Sequence, residues 1–87
     1  MFVMTVRDQG GGTVLLDCCG RLESRDHVVD VCAFAEGLAC CHQAIILDLS
    51  RVYEMNVCVA DTLIAYGASG EFLERNIRIK GLERASG

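Results

Sequence analysis

The sequence predicts one small α/β domain in which a four-stranded mixed sheet carries packed helices. Short apolar runs that are typical of strands alternate with two segments that have the spacing of an amphipathic helix. The chain has 87 residues, enough for a single domain with a modest core, so we assign residues 1–87 to one domain. An unbroken apolar run at residues 44–47 predicts a central strand that is buried on both faces. The predicted order is β-β-α-β-α-β.

The first two predicted strands form a hairpin. Residues 2–6 alternate loosely between apolar and polar side chains, and residues 13–18 are a second β-prone run. The three glycines at residues 10–12 lie between them. Because no lysine and no helix follows these glycines, they predict a turn rather than a phosphate-binding loop.

A helix is predicted after the hairpin. Ser24 is a candidate N-cap, and Asp26 falls in the first turn. The apolar residues that follow recur on one helix face, at Val28, Val31, Cys32, Ala35, Leu38 and Ala39.

The third strand is predicted at residues 44–49, and a short polar loop at residues 50–55 leads to a second helix that starts at Asn56. Gly67 and Gly70 inside this helix either allow close packing against the sheet or break the helix, and we favour close packing. The apolar face of the second helix comprises Val59, Ala60, Leu63, Ile64 and Gly67.

The last predicted strand has Ile77 and Ile79 alternating with Arg78 and Lys80. Right-handed crossovers would make strands two, three and four mutually parallel, with strand one added antiparallel through the hairpin.

Composition excludes several classes of protein. The net charge is −4 and the eight Lys and Arg residues are scattered, which argues against a nucleic-acid binder. No apolar stretch reaches the ~20 residues that a membrane span needs, and no signal peptide is recognisable, so we expect a cytoplasmic protein. The six cysteines are then reduced thiols rather than a disulfide framework.

Three short blocks resemble the STAS domain family, which includes the anti-sigma factor antagonists of bacteria. They are residues 20–22 (Gly-Arg-Leu) after the second strand, residues 45–52 (IILDLSRV) as the third strand and its exit, and residues 77–81 after the second helix. The spacing of the blocks also fits, and the likeness covers nearly the whole chain. The resemblance implies a non-catalytic regulator that binds a protein partner, for which an anti-sigma factor kinase is one candidate.

In that family an Asp-Ser-Ser-Gly type motif opens the second helix, and the partner kinase phosphorylates a serine in it. The corresponding residues 56–59 are Asn-Val-Cys-Val here, so Cys58 occupies the position equivalent to the phosphorylated serine. The resemblance therefore implies the fold without the usual phosphoserine switch. The sequence leaves open whether a phosphosite has moved to Ser50, Thr62 or Ser69.

We predict that the protein partner binds the loop and helix at residues 50–63. The loop leaves the carboxyl end of a parallel strand, where α/β sheets offer a crevice. Tyr53 and Met55 are apolar side chains that are either anchors for the partner or fold back onto the core. The predicted contact residues are Ser50, Arg51, Tyr53, Met55, Asn56 and Cys58.

Family members continue past the fourth strand into a further helix, whereas this sequence stops at Gly87. A missing final helix would leave apolar surface uncovered, which favours a homodimer or a cover supplied by a partner. A shortened sequence is an equal explanation.

The thiols offer an alternative function, a redox or metal sensor. A thiolate at Cys58 would be stabilised by the helix dipole, because it lies two residues past the N-cap. The pairs Cys18-Cys19 and Cys40-Cys41 lack the C-x2-C spacing of structural zinc sites, and the predicted topology puts them at opposite ends of the sheet. We therefore expect no metal and no cofactor.

No arrangement of a nucleophile, a base and an orienting group is recognisable, so we expect no enzymatic activity. His27 lies at the start of the first helix, and His42 precedes the third strand, at the wrong end of the sheet for Ser50. Asp48 and Ser50 more plainly satisfy backbone N–H groups than form a catalytic pair.

Overall fold

A computed structural model describes residues 2–81 and confirms the α/β prediction. The structure adds one short helix, Gly70–Glu74, to the predicted order. The elements in chain order are β1 (Phe2–Gly10), β2 (Thr13–Leu22), α1 (Arg25–Ala39), β3 (Ala44–Met55), α2 (Val57–Gly67), α3 (Gly70–Glu74) and β4 (Ile77–Lys80).

The sheet has the order β1-β2-β3-β4. As predicted, β1 pairs antiparallel with β2, and β2, β3 and β4 are mutually parallel. The strand β3 lies between β2 and β4, which confirms its central position.

The helices share one face of the sheet. The connections from β2 to β3 and from β3 to β4 cross the sheet in the same direction. Because both crossovers are right-handed, α1 and α2 lie on the same side of the sheet. A single core forms there, in which strand side chains pack with buried side chains of α1, α2 and α3. The strand residues of this core are Val14, Leu16, Cys18, Leu22, Ile45, Leu47, Leu49, Val52 and Ile77. We call the other side of the sheet, which no described helix covers, the open face.

The prediction that β3 is buried on both faces is therefore wrong. Ile46 points to the open face and is only half-buried, whereas Ile45 and Leu47 are completely buried under the helices. Leu15, the partner of Ile46 on β2, is also half-buried on the open face. Ile46 is therefore apolar because it packs beside Leu15 on the neighbouring strand, and not because a second layer of helices covers it.

The hairpin strands are longer than predicted, and the turn between them is tight. Gly10, Gly11 and Gly12 have φ values of 83°, 62° and 82°, in the left-handed region that favours glycine. The carbonyl of Gly12 accepts hydrogen bonds from the backbone N–H groups of Gln43 and Ala44, at 2.8 and 3.2 Å. This turn therefore fixes the start of β3.

The predicted N-cap of the first helix is confirmed. The hydroxyl of Ser24 accepts a hydrogen bond from the backbone N–H of Asp26 at 3.1 Å. Val28, Val31, Cys32 and Ala35 of the predicted face are buried, and Leu38 and Ala39 pack against the core from its margin.

The second helix is shorter than expected. It ends at Gly67, and α3 begins at Gly70, so the expectation of one continuous helix is wrong. The close packing that we favoured is present at Gly67, where a Cβ would lie 3.2 Å from Cδ1 of Ile79. Ser69 explains the break, because its hydroxyl caps α3 by accepting a hydrogen bond from the backbone N–H of Phe72 at 3.3 Å.

Within residues 2–81, no helix has the length and apolar character needed to cross a membrane. The expectation of a missing final helix concerns residues 82–87, which lie outside the described residues.

Candidate functional site

The predicted binding loop is not a loop. Residues 50–55 continue β3, where Arg51 pairs with Cys19, Glu54 with Arg21 and Met55 with Leu22 on β2. Two register shifts put one extra β3 residue between Asp48 and Arg51 and another, Tyr53, between Val52 and Glu54. These bulges interrupt the alternation of apolar and polar residues, which is why the sequence pattern indicated a loop.

Gly81 packs directly against the first bulge. Its φ is 86°, and a Cβ at this position would lie 2.6 Å from the backbone N of Ser50. Ser50 N–H donates a hydrogen bond to Oδ1 of Asp48 at 2.9 Å. The backbone of β3 is therefore fixed on both sides at the point where the candidate site begins.

Tyr53 and Met55 differ: one is available as an anchor for a partner, and the other folds back onto the core. Met55 is half-buried and packs against the core, so it folds back. Tyr53 is 70% exposed, and Val57, in the first turn of α2, is 76% exposed. Val57 lies within the predicted segment 50–63 but was not among the predicted contact residues, although its position off the apolar face of α2 indicates that it is exposed.

Asn56 holds the junction between β3 and α2. Its Oδ1 accepts a hydrogen bond from the backbone N–H of Val59 at 2.8 Å, which confirms the predicted N-cap. Its Nδ2 also donates to the backbone carbonyl of Glu23 at 2.8 Å. Asn56 thus ties the start of α2 to the segment between β2 and α1, a contact that the sequence alone does not reveal.

Arg51 lies on the open face and reaches a buried carboxylate there. Oδ2 of Asp17 accepts hydrogen bonds from Nη1 of Arg51 at 3.2 Å and from Nε of Arg7 at 3.4 Å. Asp17 is only 7% exposed, and its Oδ1 is buried with no hydrogen-bond partner among the described residues. A buried charge of this kind requires nearby compensation, which the two guanidinium groups supply.

Asp48 is the second buried carboxylate of the open face, and it lies beside Asp17 in the ladder. Burial alone would raise the pKa of Asp48. The hydrogen bonds from Ser50 and the charges of Lys80 and Arg51 outweigh burial and lower the pKa below its ordinary value of 3.8. Asp48 is therefore an ionised structural group, and this agrees with the expectation that it satisfies backbone N–H groups.

The cysteines divide into two groups. Cys18 and Cys32 are buried, and burial raises the pKa of each thiol to about 12, so neither is a reactive thiolate. The exposed thiols are Cys19, Cys40, Cys41 and Cys58. Among residues 2–81, no group of three His, Cys, Asp or Glu side chains has an arrangement that could hold a metal ion.

Two of the alternative phosphosites have structural hydrogen bonds. The Thr62 hydroxyl donates to the Cys58 carbonyl at 2.8 Å, and the Ser69 hydroxyl donates to the Tyr66 carbonyl at 2.7 Å. Both residues line a shallow apolar pocket of about 240 Å³, together with Ala65 and Tyr66.

The structure thus brings together part of the predicted site. Tyr53, Asn56 and Cys58 lie at or near the β3-α2 junction and are exposed, and Val57 joins them. Arg51 is directed to the open face, while Ser50 and Met55 are partly buried. No protein-family model matches the chain, and a search of curated proteins finds no significant match.

Proposed function

We propose that this protein is a non-catalytic interaction module that binds a protein partner at the β3-α2 junction and the first turns of α2, within residues 50–63. The observation that carries the proposal is the pair of exposed apolar side chains, Tyr53 at 70% and Val57 at 76%, on either side of Asn56. Tyrosine is enriched among the residues that carry the binding energy at the centre of a protein interface, and an exposed valine adds apolar area to such a surface.

The rigidity of the surface supports this proposal. Val52 and Glu54, which pair with β2 on either side of Tyr53, hold the bulge that carries Tyr53, and the two hydrogen bonds of Asn56 hold the start of α2. A partner that docks here orders few additional backbone bonds, so little binding energy is lost to conformational entropy.

The resemblance to STAS domains suggests the class of partner. We propose an anti-sigma factor antagonist-like regulator in the cytoplasm, whose partner is an anti-sigma factor kinase or a related protein. Cys58 at the phosphoserine-equivalent position means that binding does not depend on a phosphate there. If Cys58→Ser were phosphorylated by the captured partner, the partner would be a kinase whose acceptor has been lost in this chain.

Affinity capture with the tagged chain tests the proposal. The double variant Tyr53→Ser/Val57→Ser should lose the captured partner while its circular dichroism spectrum and melting temperature change little, because both side chains are exposed. Leu73→Ser is the matched control, since Leu73 is an apolar side chain of α3 that is 68% exposed but lies outside the proposed surface. Equal capture by the wild type and the double variant would place the interface elsewhere.

A thiol sensor is the second candidate function, favoured by the exposure of Cys58 and by Arg75, whose Nη1 lies 3.7 Å from Sγ of Cys40. Exposed thiols are accessible to oxidants. Oxidation with hydrogen peroxide, followed by mass spectrometry of the intact protein, separates the two candidates. A sensor should form one modified thiol selectively and change its partner binding, whereas an interaction module should capture its partner equally before and after mild oxidation.

A further inference from the structure

The open face carries an excess of positive charge. Four cationic side chains, those of Arg7, Arg51, Arg78 and Lys80, surround the two carboxylates of Asp17 and Asp48. All four cations are exposed and both carboxylates are buried. The exposed carboxylate of Glu54 on the same face is balanced by Arg21, whose Nε lies 2.9 Å from Oε2 of Glu54, so the charge presented to solvent is positive. This is notable because the whole chain has a net charge of −4.

The opposite side of the molecule has the complementary charge. The three helices together carry six carboxylates and one arginine, Arg25. We call their outer surface the helix layer; its carboxylates are those of Asp26, Asp30, Glu36, Asp61, Glu71 and Glu74.

Apolar side chains are exposed on both surfaces as well. On the open face, Val3 is 47% exposed and the pair Leu15 and Ile46 is half-buried. On the helix layer, Phe34 is 44% exposed and Leu73 is 68% exposed. An apolar patch with charged side chains around it is typical of a protein interface, and here the two surfaces have opposite charge.

We propose that the open face of one copy of this chain docks on the helix layer of a second copy. The two surfaces differ, so the contact is head-to-tail and leaves one open face and one helix layer free for further copies. The sequence-based homodimer hypothesis thereby acquires a specific geometry, in which a dimer is the first step of a longer series. The contact uses neither Tyr53 nor Val57, although Arg51 and Asp61 lie within residues 50–63.

The open face is prepared for such a contact. Asp17 accepts hydrogen bonds from both Arg7 and Arg51, so two long side chains already have a bound partner that restricts them. Cations that are restricted in this way lose less rotamer entropy when an acidic surface approaches. A stable interface buries about 800 Å² on each partner, roughly one sixth of the 5156 Å² surface of this chain, a share that one broad face of a small domain can supply.

Light scattering over a hundredfold range of protein concentration tests the proposal. The average mass of the wild type should rise with concentration at about 0.01 M salt and fall towards the monomer mass at about 0.5 M, because the screening length falls from roughly 30 Å to roughly 4 Å. A monomer at every concentration in low salt would overturn the proposal. So would self-association that does not respond to salt.

Charge reversal on each surface makes the test specific. Arg78→Glu changes the open face, and Asp30→Lys/Glu74→Lys changes the helix layer; all three residues are exposed and lie outside residues 50–63. Each variant alone should self-associate at least about tenfold more weakly than the wild type. Each still keeps one wild-type surface, so an equimolar mixture of the two should form a one-to-one pair with near wild-type affinity that does not grow further.

The mixture distinguishes the proposed contact from its alternatives. A two-fold symmetric dimer would use the same surface on both copies, so mixing the two variants would not restore wild-type affinity, and that result would overturn the head-to-tail contact. Circular dichroism and melting curves of the separate variants check that they are folded. If the wild type stays monomeric but sediments with vesicles of anionic lipid, the occupant of the open face is a membrane surface and the proposal is wrong.

Discussion

Arg51 on β3 and Asp17 on β2 are joined by a hydrogen bond of 3.2 Å, although the residues are 34 positions apart in the chain. The bond lies next to the first bulge of β3 and ties the extension of that strand to the middle of the open face. Arg51 is 60% exposed, so the bond contributes little to stability by itself. Its effect is to restrict the Arg51 side chain on the open face.

Gly81 should be intolerant of substitution. Gly81→Ala places a Cβ 2.6 Å from the backbone N of Ser50, at a φ of 86° that a residue with a Cβ rarely adopts. We expect a loss of about 1–3 kcal/mol in the free energy of unfolding, measured by urea denaturation.

Gly37→Ala is the matched control for Gly81→Ala. Gly37 lies in α1 with nothing within 4 Å of the added Cβ. The substitution should stabilise the protein by about 0.5–1 kcal/mol, because alanine favours a helix interior. If Gly81→Ala were as stable as Gly37→Ala, the close approach to the bulge would be contradicted.

Asp48 should make stability depend on pH in the acid range. Its folded pKa is lower than the ordinary value of 3.8, so the folded state binds its proton less readily than the unfolded state. The stabilisation that the ionised Asp48 carboxylate contributes is fully present above the ordinary pKa of 3.8. It is lost as the pH falls through the lower pKa of the folded state. The free energy of unfolding of Asp48→Asn should therefore fall less steeply than that of the wild type below about pH 4. Parallel curves for the two proteins, measured by urea denaturation from pH 6 downwards, would refute this role of Asp48.

Two neighbouring residues of β3 should respond differently to truncation. Leu47 is fully buried under the helices, so Leu47→Ala should cost about 2–5 kcal/mol of unfolding free energy. Ile46→Ala should cost clearly less, because Ile46 lies half-buried on the open face. Equal losses in chemical denaturation would mean that a second layer covers the open face in solution.

Local signals in the sequence were sufficient for the order of the elements other than α3, for the N-caps Ser24 and Asn56, and for the last strand. Ser24 accepts a hydrogen bond from the backbone N–H of Asp26, and Asn56 accepts one from that of Val59. Each cap therefore involves residues at most three positions apart, so the local sequence is enough to recognise it. The same applies to residues 77–80, whose period of two was visible without any partner.

The features that the sequence did not reveal depend on pairing between strands that are distant in the chain. Residues 50–55 became strand because β2 extends to Leu22 and pairs with them, and two bulges hide the alternation that would have indicated a strand. The open face depends on the order β2-β3-β4, which places both crossovers on one side; a different order of the same strands would have covered both faces. Asp17 and Arg51 meet only through that pairing.

Site-specific photo-crosslinking of the partner tests the proposed β3-α2 interface. A benzophenone amino acid is placed at Tyr53 in one variant and at Leu73 in another, two exposed positions inside and outside the proposed surface. The β3-α2 proposal predicts that light joins the partner to the chain from position 53 and not from position 73. Crosslinking from position 73 alone, with none from position 53, would contradict it.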